Sequence, residues 1–486
     1  MNIYLLTMNA SIKRANAKKI KYKKYLDKQE IYESDSDGDI SEEDVDVVEG
    51  EMLGTVIGEK YLVTKYLGKG TFSKVWALYN LDTHQFVAGK IFPDEYNEQY
   101  TNELIILRQY STFDAESIHN INLISNFNDI FDNEKINVII VPLYGKSILK
   151  VHEIIRNDGN YLSLDTCKNI IKSLCESIVK LHDLNILHMD IKPDNILVRN
   201  SPNDEHNNNI NELQKLINDN DYNNFIDKRI LQEQNDIGFN EMNKNQKKKH
   251  KKKIKTRVYK LLKMDYLEKY KALFGEDEDE DKDEDDENET ENREIVKTSE
   301  GKSVNLTNYS YILTDYSNSI LEKEVKNDEF YQIRANRAAE NILAIGYTKR
   351  SESWAIGTVF WELLTGEDLF EPDLEKYNTR VERDRNQLAL METYLGKVPQ
   401  SIRMDCSRSF ELYDDQGELL KTKKVERQDI QEKLKECRPD LSEEEIYNAC
   451  TFMVECWKYE FRKRLLPKEL LEHSYLNQIP EEKEVE

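Results

Sequence analysis

Proline and glycine are scarce, 9 and 17 of 486 residues, which argues against a collagen-like or Pro/Gly-rich low-complexity chain. Cysteine is scarce as well. The six cysteines (Cys167, Cys175, Cys406, Cys437, Cys450, Cys456) include no C-x-x-C pair, which argues against structural zinc and a small disulfide scaffold. No run of about 18 apolar residues occurs, so a helical membrane span is not expected. The N-terminal MNIYLL is too short for a signal h-region, and its basic cluster follows the apolar residues instead of preceding them. A soluble protein of a reducing compartment is expected. Hydrophobic residues make up 38% and charged residues 33%. That balance is too polar for one uniformly packed globule and implies a folded core with solvated segments.

The charge is unevenly spread, and its distribution marks the domain plan. Acidic residues outnumber basic ones 93 to 69, a net charge of -24, and residues 276–291 alone carry thirteen acids and one lysine. Just upstream, 247–257 reads KKKHKKKIKTR. Like-charge blocks repel themselves and bury too little apolar surface to offset chain entropy. Residues 199–305 therefore read as a charged, mostly disordered spacer, with one local helix over Val258–Leu273. Residues 1–54 read as a charged, disordered tail in which Ser34, Ser36 and Ser41 sit in a context that acid-directed kinases accept. A solvated acidic tail is the preferred reading there. Periodic sequence remains at 55–198 and 306–478, followed by an acidic tail, 479–486.

The first periodic piece opens with β-type runs, YLVTKYLG into GKGTFSKV, then VWALYN and FVAGKIF. A turn carrying Gly68 and Gly70 lets backbone N–H groups approach phosphates closely, although for G-x-G-x-x-S taken alone an ordinary hairpin is the preferred reading. Lys90 ends VAGK on a strand and could reach phosphates as a point charge. Thirteen residues on, Glu103 lies in YTNELIILRQY, whose apolar spacing is helical; a Lys90–Glu103 pair would hold the lysine in place.

The decisive string is ILHMDIKPDNILV, 186–198. Asp190 and Asn195 have the D-x-x-x-x-N spacing of a phosphotransfer loop. In such a loop a carboxylate accepts the substrate hydroxyl proton and an amide oxygen binds metal. Lys192 would neutralise charge on the transferred phosphoryl group.

These motifs resemble the eukaryotic protein kinase family. The resemblance implies a bilobal α+β fold, with a small antiparallel β lobe and a larger helical lobe. It also implies ATP and Mg2+ as cofactors and a second metal-binding Asp one strand beyond the loop. YILTDYSNS supplies that residue at Asp315: the separation from Asp190 is 125 residues, and removing the 107-residue insert leaves 18. Asn195 and Asp315 are thus the implied metal ligands, with Asp190 and Lys192 catalytic. The implied nucleotide contacts are Leu67, Gly68, Lys69, Gly70, Thr71, Phe72, Ser73, Lys74, Val75, Ala88, Lys90, Glu103, Leu143 and Leu197. Glu340 matches the glutamate of A-P-E and Arg464 its partner.

Within kinases the chain looks like the SR-protein kinases of the CMGC group. LGKGTFSKVW, Met189 in place of the usual arginine, IRANRAAENILAIGY, LLTGEDLFEPD, QLALMETYLGKVP and the long spacer carry that likeness. The function implied is transfer of the ATP γ-phosphate to protein Ser/Thr hydroxyls, Arg/Ser-rich substrates included. A pseudokinase scaffold is the alternative, motivated by Ser317 where glycine is usual and Glu352 where aspartate is usual. The acidic docking positions of that family read Asn386 and Thr393, with Asp384 and Glu392 nearby. A monomer in the cytoplasm and nucleus is expected. Protein substrates and, through the spacer, import or chaperone partners are anticipated, with no membrane; for Lys247–Arg257 a solvated flank or localisation signal is the preferred reading and nucleic-acid binding the disfavoured one. Residues 320–340 contain no serine or threonine, and Met189 cannot pair with a phosphate, so activity should not require activation-segment phosphorylation. The spacer is expected to be dispensable for phosphotransfer.

Overall fold

The computed structural model describes residues 52–113, 121–199, 208–236, 239, 242–274, 302–326, 329–373, 376–377, 379–422 and 425–477. The N-terminal tail to residue 51 with its three serines, the acidic run 276–291 and the C-terminal tail lie outside them.

A six-stranded antiparallel sheet forms the small lobe: β1 (Val56–Ile57), β2 (Tyr61–Gly70), β3 (Ser73–Asn80), β4 (Gln85–Pro93), β5 (Ser125–Phe131) and β6 (Glu134–Pro142), in the order β1-β2-β3-β4-β6-β5. The tight β2–β3 connection pairs Gly70 with Ser73. β4 sits between β3 and β6, so Lys90 lies opposite Val75 on one side and Ile139 on the other. Helix α1 (Asn97–Phe113) follows β4 and presents Glu103 to it.

The large lobe is built on buried helices. α2 (Ile148–Asn157) and α3 (Leu164–Asp183) begin at Ser147 and Ser163, whose hydroxyls accept the Lys150 and Thr166 amides. Such caps satisfy donors that the first helical turn leaves unpaired. β7 (Tyr161–Leu162) lies between them, and β8 (Ile186–Leu187) and β9 (Ile196–Arg199) bracket the loop that carries Asp190. Helix α7 (Lys349–Thr365) starts with a Thr348–Ser351 capping box, ends at Gly366 with φ 72°, and buries Trp354 and Trp361. Among the described residues, α8 (Arg380–Leu395) and α9 (Glu443–Cys456) complete the long helices of this lobe.

The chain leaves the large lobe at the end of β9 and returns beside it. β10 (Ser303–Val304) pairs parallel with β7, and β11 (Ser310–Leu313) pairs antiparallel with β9, Leu313 opposite Ile196. This strand pair brings Asp315 next to Asn195 in space, as the insert arithmetic requires. The ordered return begins a few residues before the anticipated boundary at 306.

The spacer departs from the expectation of a mostly disordered segment. Three helices occupy it: α4 (Asn208–Asp219), α5 (Tyr222–Asp236) and α6 (Lys244–Phe274). In α6 the buried residues are Ile254, Val258, Leu262, Tyr266, Tyr270 and Phe274, one in every four. Most of them join Leu213, Leu216, Ile217 and Tyr222 in one cluster with Met52, Leu53, Tyr61, Leu62 and Val63 of the small lobe. The Tyr266 hydroxyl donates to the Thr64 carbonyl at 2.9 Å, and the Tyr259 hydroxyl to the Glu59 carbonyl at 2.7 Å. Gly54, at φ 73°, lets the chain pass α6: a Cβ there would stand 3.2 Å from the Lys263 carbonyl oxygen and from the Tyr266 ring. The physical reason for the departure is economy of apolar residues. A stripe of one large side chain per turn is enough to bury a helix that is otherwise lysine.

The spacer helices are therefore part of the small lobe's core, and dispensability no longer follows. Tyr266→Ala is expected to destabilise the protein by about 3 kcal/mol through the lost ring and the orphaned Thr64 carbonyl. Urea unfolding would read this as a lower midpoint; an unchanged midpoint would mean that the helices merely lie on the surface.

Candidate active site

Three ionisable groups from three elements meet at Lys90. Its Nζ lies 2.8 Å from Glu103 Oε2 and 2.7 Å from Asp315 Oδ1. Burial pushes the ammonium down most strongly, yet Asp315 and Glu103 together raise it well above its ordinary value. Burial also works against the Asp315 carboxylate, and there the Lys90 charge and two hydrogen bonds from Ser317 prevail, holding it far below the usual range. Glu103 goes the other way, pushed up to about 7 by burial and by Asp315 against the pull of Lys90. The cluster thus keeps a charged lysine and a charged Asp315 at neutral pH, with Glu103 the group that titrates.

The Gly-rich turn covers this cluster: a Cβ on Gly70 would stand 3.9 Å from Asp315 Oδ2. Leu67, Lys69, Lys74 and Val75 lie on the two strands that flank it, with Thr71 and Phe72 at its tip and Ser73 opening β3. Ala88 sits on β4 opposite Val141, Leu143 follows directly on the end of β6, and Leu197 lies on β9.

In the catalytic loop Asp190 is buried, its Oδ2 3.3 Å from Lys192 Nζ. The Asn195 amide nitrogen donates to the Asp190 carbonyl at 2.8 Å and to Oδ2 at 3.0 Å, which leaves the amide oxygen as the group able to bind a cation. Among the described residues no three acidic, histidine or cysteine side chains cluster as a metal cage. One carboxylate and one amide oxygen nonetheless fit Mg2+, which commonly takes one or two protein oxygens and completes its shell with phosphates and water.

The loop is anchored from beneath by Glu352. This fully buried carboxylate accepts the His188 amide at 2.6 Å and the Met189 amide at 3.1 Å on Oε1, and contacts His182 Nε2 at 2.6 Å on Oε2. Ser317 donates its hydroxyl to Asp315 Oδ1 at 2.6 Å. The left-handed backbone of this turn falls on Asp315, φ 64°, and not on Ser317, so a serine in place of glycine at 317 carries no left-handed strain. Both departures that motivate a pseudokinase reading make the bonds the site needs.

Gln332 was not singled out by sequence reasoning, and it ties the activation segment to the loop. Its amide N–H donates to the Met189 carbonyl at 3.1 Å, its Oε1 accepts the Ile191 amide at 2.8 Å, and its Nε2 donates to the Tyr347 hydroxyl at 2.9 Å. Asn336 adds a bond to the Ile191 carbonyl at 2.8 Å. Met189 sits in an apolar cluster with Leu187 and Tyr347. Neutral hydrogen bonds and packing thus join the parts that an arginine–phosphate pair joins elsewhere. Only the absence of Ser/Thr in 320–340 hinted that something else must. Glu340 and Arg464 form a buried two-bond pair, 2.7 and 2.9 Å, braced by Ser351.

The anticipated docking acids are not open. Asp384 is completely buried, with Arg408 at 2.6 Å, Arg334 at 2.8 Å and Arg380 at 3.9 Å. Glu392 is buried and accepts the Val398 amide at 3.2 Å, while Asn386 donates to the Tyr377 hydroxyl and Thr393 to the Ala389 carbonyl. A different acidic group flanks the loop: Glu362, pushed up to about 8 by burial and by repulsion from Asp368, Asp194 and Glu371. Glu371 is raised to about 7, again by burial first and then by Asp368.

This arrangement defines the class: a eukaryotic protein kinase. Residues 61–217 match the protein kinase domain model. A protein of Acanthamoeba polyphaga mimivirus, assigned as serine/threonine-protein kinase L205, is 26% identical over 516 residues, covering 91% of this chain and 92% of that one. Serine/threonine-protein kinase SRPK of Physarum polycephalum is 23% identical over 433 residues, covering 88% of each. Serine/threonine-protein kinase spk-1 of Caenorhabditis elegans is 25% identical, over 87% of this chain and 49% of the nematode protein. Through these relatives the chain is similar to the SR-protein kinases of the CMGC group.

Gln332→Ala should lower kcat about tenfold, through loss of about 1–3 kcal/mol of loop hydrogen bonding. Phosphatase treatment of the wild-type protein should leave kcat unchanged. A kcat that collapses on phosphatase treatment would show that a phosphate, not Gln332, orders the segment.

Proposed function

We propose that the protein transfers the γ-phosphate of MgATP to serine or threonine hydroxyls of basic, Arg/Ser-rich proteins. The observation that carries this reading is the set of contacts that joins Lys192 and Asn195 to Asp190 and Lys90 to Asp315. Asp190 accepts the proton of the attacking hydroxyl. Lys192, on the same carboxylate, is positioned to neutralise the transferred group. Asn195 and Asp315 hold Mg2+, which when bound supplies charge neutralisation for the phosphates. Lys90 is kept charged by its carboxylate partners and turns to the phosphates. Ser/Thr preference rests on Lys192 and on the named relatives.

Arginine recognition is assigned here to Asp194, Glu362, Asp368 and Glu371 beside the loop, because Asp384 and Glu392 are committed internally. The six cysteines are free, in keeping with a reducing compartment of cytoplasm and nucleus.

Asp190→Ala should reduce transfer to an Arg-Ser repeat peptide by about 10²–10⁴-fold. A basic peptide without the repeat should be the poorer substrate; equal use of both would refute the Arg/Ser assignment while leaving the kinase reading intact. The acids raised to about 7 and about 8 are protonated below those values and ionise above them, so a cationic peptide is held better at the higher pH. The peptide KM is expected to fall by about threefold as pH rises through this window. Glu103 titrates near 7 as well and acts on ATP, so Glu362→Gln is the control. That variant should flatten the peptide KM profile and leave the ATP profile as it was.

A further inference from the structure

The basic run at 247–257 is not absorbed by phosphotransfer, and its structure differs from the solvated flank that composition suggests. It forms the first half of α6, where residues 244–264 contain eleven lysines and arginines and no acid. Ile254 and Val258 are buried, which fixes how the helix is turned. Asn245, Lys248, Lys249, Lys252 and Lys253 fall on the opposite face by helical spacing and line one open groove. Neighbouring cations have internal partners: Lys255 pairs with Glu59 at 2.7 Å and Arg257 with Glu233 at 2.8 Å. Lys248, Lys249, Lys252 and Lys253 are exposed, and among the described residues none has a carboxylate within ion-pair distance. In a chain of net charge -24, four aligned lysines without an ion pair among the described residues are an exception that folding does not explain. Like charges four apart on a helix oppose it, each pair by about 0.2–0.5 kcal/mol.

We infer that this face of α6 binds the phosphate backbone of duplex nucleic acid. Four lysines lie along roughly 8 Å of helix axis, and a duplex offers one negative charge per about 1.7 Å. Lysine is a point charge without arginine's fork, so it reads charge and not base edges. No aromatic side chain stands between the lysines to stack on unpaired bases, and no apolar one to enter a lipid layer. The repulsion of the acidic remainder is screened beyond about 8 Å at physiological ionic strength. Binding is therefore local, sequence-independent and steeply salt-dependent.

The test is fluorescence anisotropy of the full-length protein with a labelled 20-base-pair DNA, across about 50 to 200 mM salt. The quadruple variant K248E/K249E/K252E/K253E and a control reversing Lys323, Lys376, Lys421 and Lys468 are compared with wild type. Loss of four phosphate contacts should make the log–log salt slope shallower by about 3.6 and cut affinity at low salt about a hundredfold. The control should bind as wild type does. Unchanged phosphotransfer and melting midpoint in the quadruple variant exclude misfolding as the cause. No binding by wild type at low salt overturns the inference, and so does equal binding by the quadruple variant. Binding to phosphatidylserine vesicles without binding to the duplex overturns it too, in favour of a membrane surface.

Discussion

One buried ammonium holds the active site together. Lys90 comes from the sheet, Glu103 from α1, and Asp315 from the turn after β11, and all three converge within 2.8 Å. Two carboxylates cannot share a dry site without a cation between them, because each would raise the other's proton affinity. Lys90 is therefore the condition for Asp315 to stay ionised and able to take a metal. It also ties the small lobe to the turn that carries Asp315, over which the Gly70 turn lies. Removing one partner of such a group leaves an uncompensated charge, which costs far more than the intact pair contributes.

The large lobe solves a related problem with two buried hydrogen-bonding side chains. A loop that must carry Asp190, Lys192 and Asn195 in fixed positions leaves backbone amides to be satisfied. Glu352 takes two of them and Gln332 a third. Both side chains are buried, and their own remaining atoms are bonded, to His182 and to Tyr347. Order is built in by hydrogen bonding instead of being added by a phosphate. An arginine at Met189 would bring a charge into the apolar cluster of Leu187 and Tyr347.

What was legible in the sequence is what depends on short spacing. The catalytic loop is a local string, and the 18-residue distance to Asp315 survives once the insert is set aside. Strands β2 to β4 and helix α1 declare themselves by apolar alternation and periodicity. Of the spacer helices only the 258–273 half of α6 did so; its packing was hidden because α6 carries one buried residue in four among lysines and its partners lie some 200 positions away. Composition counts charge, but burial depends on which face the few apolar residues share. The role of Gln332 and the loss of Asp384 as a docking acid were hidden for a similar reason. Arg334 and Arg408 are 50 and 24 residues from Asp384, and nothing in a linear reading tells that all three meet.

The spacer thus has two ends with different physics, a tyrosine-rich half packed on the sheet and a lysine-rich half facing solvent. The site itself stands or falls with the Lys90 cluster. The most direct measurement is kcat/KM for ATP of Glu103→Gln against wild type at pH 8, where Glu103 is ionised. If the carboxylate positions Lys90, the variant should lose about a hundredfold, as expected for a reacting group displaced by about 1 Å. An unchanged kcat/KM would mean that Asp315 alone holds the lysine, and that the three-way cluster does not assemble the site.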